Sequence, residues 1–295
     1  MASPNRKGII LAGGIGSRMA PLTNAVCKQL LPVFDKPMIY YPLCTLMLAG
    51  IRDILIITKP QDLEVFKTLF KKSQAWGVNI EFAIQYEPDG IASGLIIAEN
   101  FLNYNPSALI LGDNIFYSSG LTGMLSEAMS YNAGALILAK EIRNPELYGV
   151  ITLNKIGEPI SIEEKPKFPK SKLVVTGLYF YDETAPERAK TLKPSIRGEL
   201  EITDLNLSYM QDKQLAVSTL QRGTLWFDAG SHNNLLEVSN LVASIQNRTE
   251  TLISSPEEIS YKNGWINIEQ LSHLVAQLGP STYRKMLANI LEENR

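Results

Sequence analysis

The chain has 295 residues, of which 45% are hydrophobic and 20% are charged, and its formal net charge is −2. This balance gives no global attraction to nucleic acid or to an anionic membrane, so any anion must be bound locally. Cys27 and Cys44 are too few for a disulfide framework or a zinc site, and we expect them to be buried or half-buried thiols. We see neither a signal peptide nor a membrane span and therefore expect a cytoplasmic protein.

In the first half, apolar runs of strand length alternate with segments of helical spacing. The predicted strands are residues 8–11, 53–58, 79–85, 108–111 and 135–140. The predicted helices are residues 38–49, 63–70, 91–101 and 121–131. This order predicts an α/β protein whose mixed, mostly parallel sheet carries helices on both faces. Ligands of such sheets bind beyond the carboxyl ends of the strands.

The second half has a different pattern. The predicted strands are residues 149–153, 159–163, 174–181 and 214–220. From about Ser231 onward the pattern is helical, over residues 235–246, 268–278 and 283–293. We therefore expect a second half packed directly against the first, followed by a helical C-terminal region.

The first predicted strand ends in a glycine-rich turn that contains Gly13, Gly14 and Gly16. Glycines let backbone N–H groups approach a phosphate without interference from a Cβ atom. The turn lacks the Gly-Lys-Ser/Thr ending of a P-loop. The second strand ends at Thr58-Lys59, without the acidic residue that holds a ribose in a dinucleotide-binding fold. A plain tight turn between strand and helix is the alternative interpretation.

Two cations and two carboxylates could complete a phosphate site. Arg18 and Lys28 offer a planar fork and a compact point charge for phosphate oxygens, and the alternative is that both are solvated surface cations. Asp113 and Asp228 each follow an apolar run and lie near a glycine, and two such carboxylates can converge on a magnesium ion. Each could instead be a turn former or helix cap. Together these residues predict a site for a nucleoside triphosphate.

Two charged segments occur in the second half. Glu164 and Lys165 precede Pro166 at a predicted strand end, and they share a face only if the strand has already ended. A surface charge run is the alternative. Residues 197–204 mix a cation with acids beside a glycine, which is also typical of a helix N-terminus. His232 is interpreted as a packing or capping residue. No Ser/His/Asp order or Cys/His pair stands out, so we make no prediction of nucleophilic catalysis.

Taken together, these segments resemble the bacterial glucose-1-phosphate thymidylyltransferases, within the sugar-phosphate nucleotidyltransferases. The matching stretches follow family order and are residues 7–18, 28–33, 35–43, 46–50, 85, 88–90, 111–114, 148–150, 163–166, 176–181, 197–204 and 226–232. The resemblance implies a Rossmann-like nucleotidyltransferase core and a magnesium-dependent reaction. In that reaction, glucose 1-phosphate attacks the α-phosphorus of dTTP, which gives dTDP-glucose and pyrophosphate.

The resemblance also implies roles for individual residues, by matching motif. The nucleotide site would consist of Leu11, Gly13, Gly14, Gln29, Gln85 and Gly90. The two glutamine amides and Gly90 would read thymine. The catalytic cations would be Arg18, Lys28 and Lys165, and Mg²⁺ would be bound by Asp113 and Asp228. The sugar phosphate and sugar would be contacted by Gly149, Glu164, Lys165, Val175, Arg197 and Glu199.

The same resemblance implies how the chain is organised. A catalytic domain would cover residues 1–230, with a nucleotide half at about 1–140 and a sugar-binding half at about 141–230. Residues 231–295 would provide oligomer and regulatory contacts. Family members are usually homotetramers, and many are inhibited by a downstream dTDP-sugar at a second site between subunits. Residues 256–259 would belong to that site. Neither nucleic acid nor a membrane is an expected partner.

Two segments depart from the family pattern. Ile91-Ala92-Ser93-Gly94 stands where the family usually has Leu-Ala-Gln-Ala, so Ser93 replaces a longer amide. Gly94 lowers helix stability relative to alanine by up to ~1 kcal/mol. This departure leaves open another hexose 1-phosphate or nucleotide as substrate. A non-catalytic dTDP-sugar-binding relative is a separate alternative. Residues 118–122 also differ, near the regulatory site.

Overall fold

The computed structural model describes residues 5–293. Its strands are β1 (Lys7–Leu11), β2 (Pro32–Val33), β3 (Lys36–Pro37), β4 (Asp53–Thr58), β5 (Asn79–Ile84), β6 (Ser107–Leu111), β7 (Asn114–Tyr117), β8 (Ala135–Glu141), β9 (Gly149–Leu153), β10 (Pro159–Glu164), β11 (Leu173–Tyr181), β12 (Leu215–Thr219) and β13 (Leu225–Asp228). Its helices are α1 (Tyr40–Leu48), α2 (Leu63–Leu69), α3 (Ser93–Ile97), α4 (Glu99–Leu102), α5 (Leu121–Met129), α6 (Ala185–Thr191), α7 (Ile202–Gln211), α8 (His232–Thr249), α9 (Pro256–Lys262), α10 (Ile268–Gln277) and α11 (Thr282–Glu293).

Within residues 5–293, nine strands form the main sheet, in the order β10-β9-β11-β6-β1-β4-β5, with β8 paired to β11 and β12 paired to β8. The block β6-β1-β4-β5 is parallel, whereas β11 runs antiparallel to β6, β8 and β9. The prediction of a mixed sheet is therefore confirmed. The parallel block places the carboxyl ends of its four strands at one edge, where a ligand is expected.

Alternate residues of each central strand face opposite layers of helices. Ile9 and Ile10 are both fully buried, but they belong to different apolar clusters. Ile10 packs in a cluster shared with α1, α5 and the C-terminal helices α9 to α11, and Ile9 packs with α3, α4, α6 and α7. The predicted helices on both faces are thus confirmed, as is the helical C-terminal region. Cys27 and Cys44 are free and buried, as expected.

A two-stranded antiparallel sheet, formed by β7 and β13, was not predicted from the sequence. Its register places Asp228 opposite Asn114. The predicted helix over residues 91–101 is instead two short helices, α3 and α4, which meet at Ala98. Over the range that the structure describes, no helix has both the length and the apolar character needed to cross a bilayer.

We predict that α10 unfolds together with the main sheet, because the side chain of Leu271 is fully buried in the cluster that also contains Ile10. The change Leu271→Ala should lower the free energy of unfolding by about 2–5 kcal/mol, measured by urea denaturation. The matched change Leu236→Ala, at a leucine that is 63% exposed, should alter it by no more than about 0.5 kcal/mol. A separate early transition for α10 would contradict the shared core.

Candidate active site

The pairing of β7 with β13 brings two distant carboxylates together. Asp113 follows β6, Asp228 ends β13, and the N–H of Ala229 donates to the carbonyl of Asp113 at 2.9 Å. A Cβ atom on Gly230 would lie 2.7 Å from Asp228 Oδ1 and 3.4 Å from Asp113 Oδ2. It would also lie 2.7 Å from Arg18 Nη2. Both carboxylates and the guanidinium therefore converge on one point, which the missing side chain of Gly230 leaves open.

The two carboxylates differ in their electrostatic surroundings. Burial acts to raise the pKa of Asp113, but the ion pair with Lys28 outweighs it and holds that pKa below its ordinary value. Burial and the neighbouring charge of Asp113 raise the pKa of Asp228 to about 6, despite the opposing effect of Lys28 and Arg18. Arg18 Nη2 lies 3.7 Å from Asp228 Oδ2, and its side chain is 67% exposed. Arg18 is therefore a cation that an anionic ligand beside the carboxylates can reach directly.

The donor set fits a magnesium ion that is shared with a phosphate ligand. Among the described residues, no group of three or more His, Cys, Asp or Glu side chains could hold a metal alone. Mg²⁺ is typically bound by one or two carboxylates together with water and substrate phosphates. Asp113 and Asp228 supply such a pair. Because the two carboxylates repel one another, a cation bound between them would stabilise their ionised forms.

The glycine-rich turn lies beside this carboxylate pair. Gly16 has φ +68°, in the left-handed region that favours glycine, and its carbonyl accepts from Thr23 Oγ1 at 2.9 Å. A short 3₁₀ helix, Ser17–Met19, follows and carries Arg18, and a second, Lys28–Leu30, carries Lys28. A Cβ atom on Gly14 would meet nothing within 4 Å, so the backbone there is open to a ligand.

The predicted nucleotide residues gather at the carboxyl ends of β1 and β5. A Cβ atom on Gly13 would lie 2.6 Å from Gln85 Oε1, so these two residues are in contact. Gln29 is buried, and its Oε1 accepts from the thiol of Cys27 at 2.9 Å. Gly90, at φ +108°, fits against the backbone of Leu200, where a Cβ atom would lie 2.4 Å from the carbonyl oxygen. Leu11 ends β1 and packs against Gly94.

A cavity of about 220 Å³ lies between the carboxylate pair and the strands of the second half of the chain. All six residues predicted to contact the sugar or its phosphate line it, together with both carboxylates and one cation: Gly149, Glu164, Lys165, Val175, Arg197, Glu199, Asp113, Asp228 and Arg18. The predicted residues from β9, β10, β11 and the loop before α7 thus surround one space next to the carboxylate pair.

Inside this cavity Arg197 is held by three glutamates. Its Nη2 lies 2.7 Å from Glu201, 3.3 Å from Glu199 and 3.6 Å from Glu164. Hydrogen bonding to Glu201 and the surrounding acids raise the pKa of Arg197. Lys165 directly follows the last residue of β10 and has φ +41°, and its Nζ lies 3.5 Å from the Glu164 carboxylate. The strand has therefore ended, so Glu164 and Lys165 face the same cavity.

Sequence reasoning did not single out several polar residues of this site. Asn114 is buried; its Oδ1 accepts from Trp226 Nε1 at 2.6 Å and from the N–H of Gly177 at 3.1 Å, while its Nδ2 donates to Asp113 Oδ1 at 3.0 Å. Thr203 donates its hydroxyl to Glu164 Oε2 at 2.5 Å. Apart from Asp113, which is adjacent to Asn114, these partners lie 39 to 112 residues apart, so no local pattern could have identified the contacts.

The residues expected at a regulatory site lie on α9. Glu257 is buried and accepts from the hydroxyl of Tyr283 at 2.5 Å. Glu258 pairs with Lys262 at 2.5 Å. Burial, with the nearby charge of Glu257, raises the pKa of Tyr283 well above its ordinary value. Both carboxylates thus have protein partners within the chain.

Comparisons with known proteins identify close relatives over nearly the whole length. The sequence model of the nucleotidyl transferase family matches residues 7–245. A glucose-1-phosphate thymidylyltransferase from Neisseria meningitidis serogroup A is 49% identical over 287 residues, which cover 97% of this chain and 100% of the relative. One from Mycobacterium tuberculosis is 47% identical over 288 residues, covering 98% and 100%.

Two solved structures of similarly named or related enzymes have a similar fold. A crystal structure described as a glucose-1-phosphate thymidylyltransferase from Bacillus anthracis, in complex with sucrose, matches with a TM-score of 0.74 and 39% identity. The match covers 80% of this chain and 94% of that one. A UDP-glucose pyrophosphorylase complexed with UDP-glucose matches with a TM-score of 0.70 and 26% identity, covering 81% and 98%.

We predict that Asn114 stabilises the site by accepting from one buried and one half-buried donor. The change Asn114→Ala leaves the N–H groups of Trp226 and Gly177 without this acceptor, and it should lower the free energy of unfolding by about 2–4 kcal/mol. Urea denaturation measures this loss. The change Asn240→Ala, at an exposed position of α8, is the control and should be nearly neutral. A loss below about 1 kcal/mol for Asn114→Ala would contradict the role.

Proposed function

Because the chain belongs to the nucleotidyl transferase family and, within it, to the glucose-1-phosphate thymidylyltransferases, we propose that it transfers a thymidylyl group from dTTP to α-D-glucose 1-phosphate. The products are dTDP-glucose and pyrophosphate. The observation that carries the proposal is the convergence of Arg18, Asp113 and Asp228 beside the cavity that contains Lys165 and Arg197.

The reaction needs positioned charge rather than a general base. A phosphate oxygen of glucose 1-phosphate forms a bond to the α-phosphorus of dTTP. The bond from that phosphorus to the oxygen bridging to the β-phosphate breaks, and pyrophosphate leaves with the electron pair. The attacking phosphate is already an anion, so no proton has to be removed. The protein's task is to hold two anions in line and to neutralise charge on the leaving group.

The cations divide this task by location. Arg18 is exposed beside the carboxylates and binds the triphosphate, together with Lys28. Lys165 and Arg197 line the adjoining cavity and bind the sugar phosphate. The glutamates around Arg197 hold its guanidinium in place, since its Nε and Nη2 donate to the two oxygens of Glu201 in a bidentate contact. The backbone near Gly14 lies open to the triphosphate.

The remaining residues line the two substrates. The nucleotide site consists of Leu11, Gly13, Gly14, Gln29, Gln85 and Gly90, supported by their clustering at the ends of β1 and β5. The sugar site consists of Gly149, Glu164, Val175 and Glu199, supported by their position in the cavity wall. Asp113 and Asp228 would hold Mg²⁺, which when bound supplies positive charge to the phosphates.

The proposal extends to organisation and regulation. Residues 1–230 form the catalytic domain, with nucleotide and sugar halves divided near residue 140, and residues 231–295 contribute contacts in a homotetramer. A dTDP-sugar inhibitor would bind near α9. We place the reaction in the cytoplasm, where nucleoside triphosphates are made. The names of the relatives support the activity. The location of residues 256–259 on α9 supports only the position of the second site.

A pyrophosphate-release assay tests the reaction itself. We expect release with dTTP and glucose 1-phosphate in the presence of Mg²⁺, with the highest kcat/KM in a panel of dTTP, UTP, dCTP and several hexose 1-phosphates. Preference for another pair would establish the alternative substrate. Tight binding of dTDP-glucose by calorimetry without any pyrophosphate release would instead establish a non-catalytic binding protein.

Arg18 should contribute through charge rather than through stability. Because its side chain is 67% exposed, Arg18→Ala should leave the fold intact, yet lower kcat about 100-fold by removing a cation from the leaving phosphates. The control is Arg248→Ala, at an exposed position of α8, which should not change kcat. A loss below about threefold in Arg18→Ala would remove Arg18 from the mechanism.

A further inference from the structure

The segment in which this chain departs from its family, residues 91–94, contributes Ser93 to a hydrogen-bond network around the buried Gln85. Ser93 is 2% exposed and Gln85 is 8% exposed. Gln85 Nε2 donates to Ser93 Oγ at 2.8 Å, to Asp89 Oδ1 at 2.7 Å and to the carbonyl of Gly90 at 3.3 Å. The Ser93 hydroxyl is 2.6 Å from Asp89 Oδ1 and 2.7 Å from the carbonyl of Gly90.

This network determines which end of the Gln85 amide faces the ligand. The Asp89 carboxylate and the Gly90 carbonyl are acceptors only, so one of them takes the single proton of the Ser93 hydroxyl. Ser93 Oγ must then accept from Gln85. All three partners of the amide are thus acceptors, and only its NH₂ group can face them. A flipped amide would place its oxygen against the Asp89 carboxylate.

The oxygen of the amide is left for the ligand. Gln85 Oε1 lies next to Gly13, within the glycine-rich turn, and accepts no hydrogen bond from any residue in the range 5–293. It is therefore an acceptor of fixed orientation at the proposed nucleotide site. A partner that meets it must present a hydrogen-bond donor.

We propose that Ser93 and Asp89 are positioning residues for base selection: by fixing Gln85 with its oxygen toward the nucleotide, they favour a base whose ring N3 carries a hydrogen. This inference rests on the proposed function and deepens it. Thymine and uracil carry that hydrogen, whereas N3 of cytosine is itself an acceptor and would face Oε1 unpaired. A buried polar group left unpaired by the wrong substrate is an effective source of selectivity.

The experiment compares kcat/KM for dTTP and for dCTP, which share the same sugar and triphosphate. The change Asp89→Asn supplies an amide that can donate, so both orientations of Gln85 become acceptable, and the dTTP-to-dCTP ratio should fall at least tenfold. The change Ser93→Ala should lower it at least threefold, whereas Ser93→Thr, which keeps the hydroxyl, should retain it. The ratio is insensitive to the fraction of folded enzyme.

A second arm tests whether the effect passes through Gln85. In a Gln85→Ala background, neither Asp89→Asn nor Ser93→Ala should change the ratio by more than twofold. Smaller falls than those stated, in active variants that contain Gln85, would overturn the inference, as would a wild-type enzyme that uses both nucleotides equally. These results leave the proposed function intact. Failure of wild-type enzyme to release pyrophosphate with dTTP would instead overturn the proposed function.

Discussion

Two carboxylates of like charge, Asp113 and Asp228, are held side by side, and the arrangement of the site depends on how their repulsion is offset. Lys28 is paired with Asp113 in a nearly buried setting, so one carboxylate stays ionised. Asp228 bears the remaining repulsion, which contributes to its raised pKa. Because Gly230 has no side chain, there is room beside Arg18 and the two carboxylates for a further cation. Two cations thus face two carboxylates, but the raised pKa of Asp228 indicates that its negative charge is only partly compensated, so a further cation would be stabilised there.

The nucleotide and sugar sides of the site are joined through one stretch of backbone. The N–H of Leu200 donates to the carbonyl of Asp89 at 2.6 Å, and the N–H of Ala92 donates to the carbonyl of Leu200 at 3.2 Å. Leu200 lies between Glu199 and Glu201, which hold Arg197. A displacement of Asp89 would therefore be transmitted through Leu200 to Arg197. The two proposed substrate sites are thus connected by backbone hydrogen bonds.

Much of the fold could be predicted from the sequence because its signals are local. The bounds of β4 and β9 agree with prediction, since each is a short run of strand-forming residues limited by turns. The strands β7 and β13 were missed because they are short and pair with partners about a hundred residues away. For the same reason the sequence indicated Asp113 and Asp228 separately, but the resemblance to a family was needed to place them together. The two donors to Asn114 are 63 and 112 residues distant, so these contacts had no local signal.

The C-terminal helices contact the segment near Lys28 through the buried side chain of Lys36. Lys36 pairs with Asp35 at 2.5 Å, and Asp35 accepts from Gln246 of α8 at 2.8 Å. The ammonium also lies over the ring of Tyr283 in α11, and its burial lowers the pKa of Lys36. Such a charge is tolerated only while its partners surround it. Since the hairpin of β2 and β3 directly follows the 3₁₀ helix that carries Lys28, these contacts tie the C-terminal helices to the segment that holds a phosphate-binding cation.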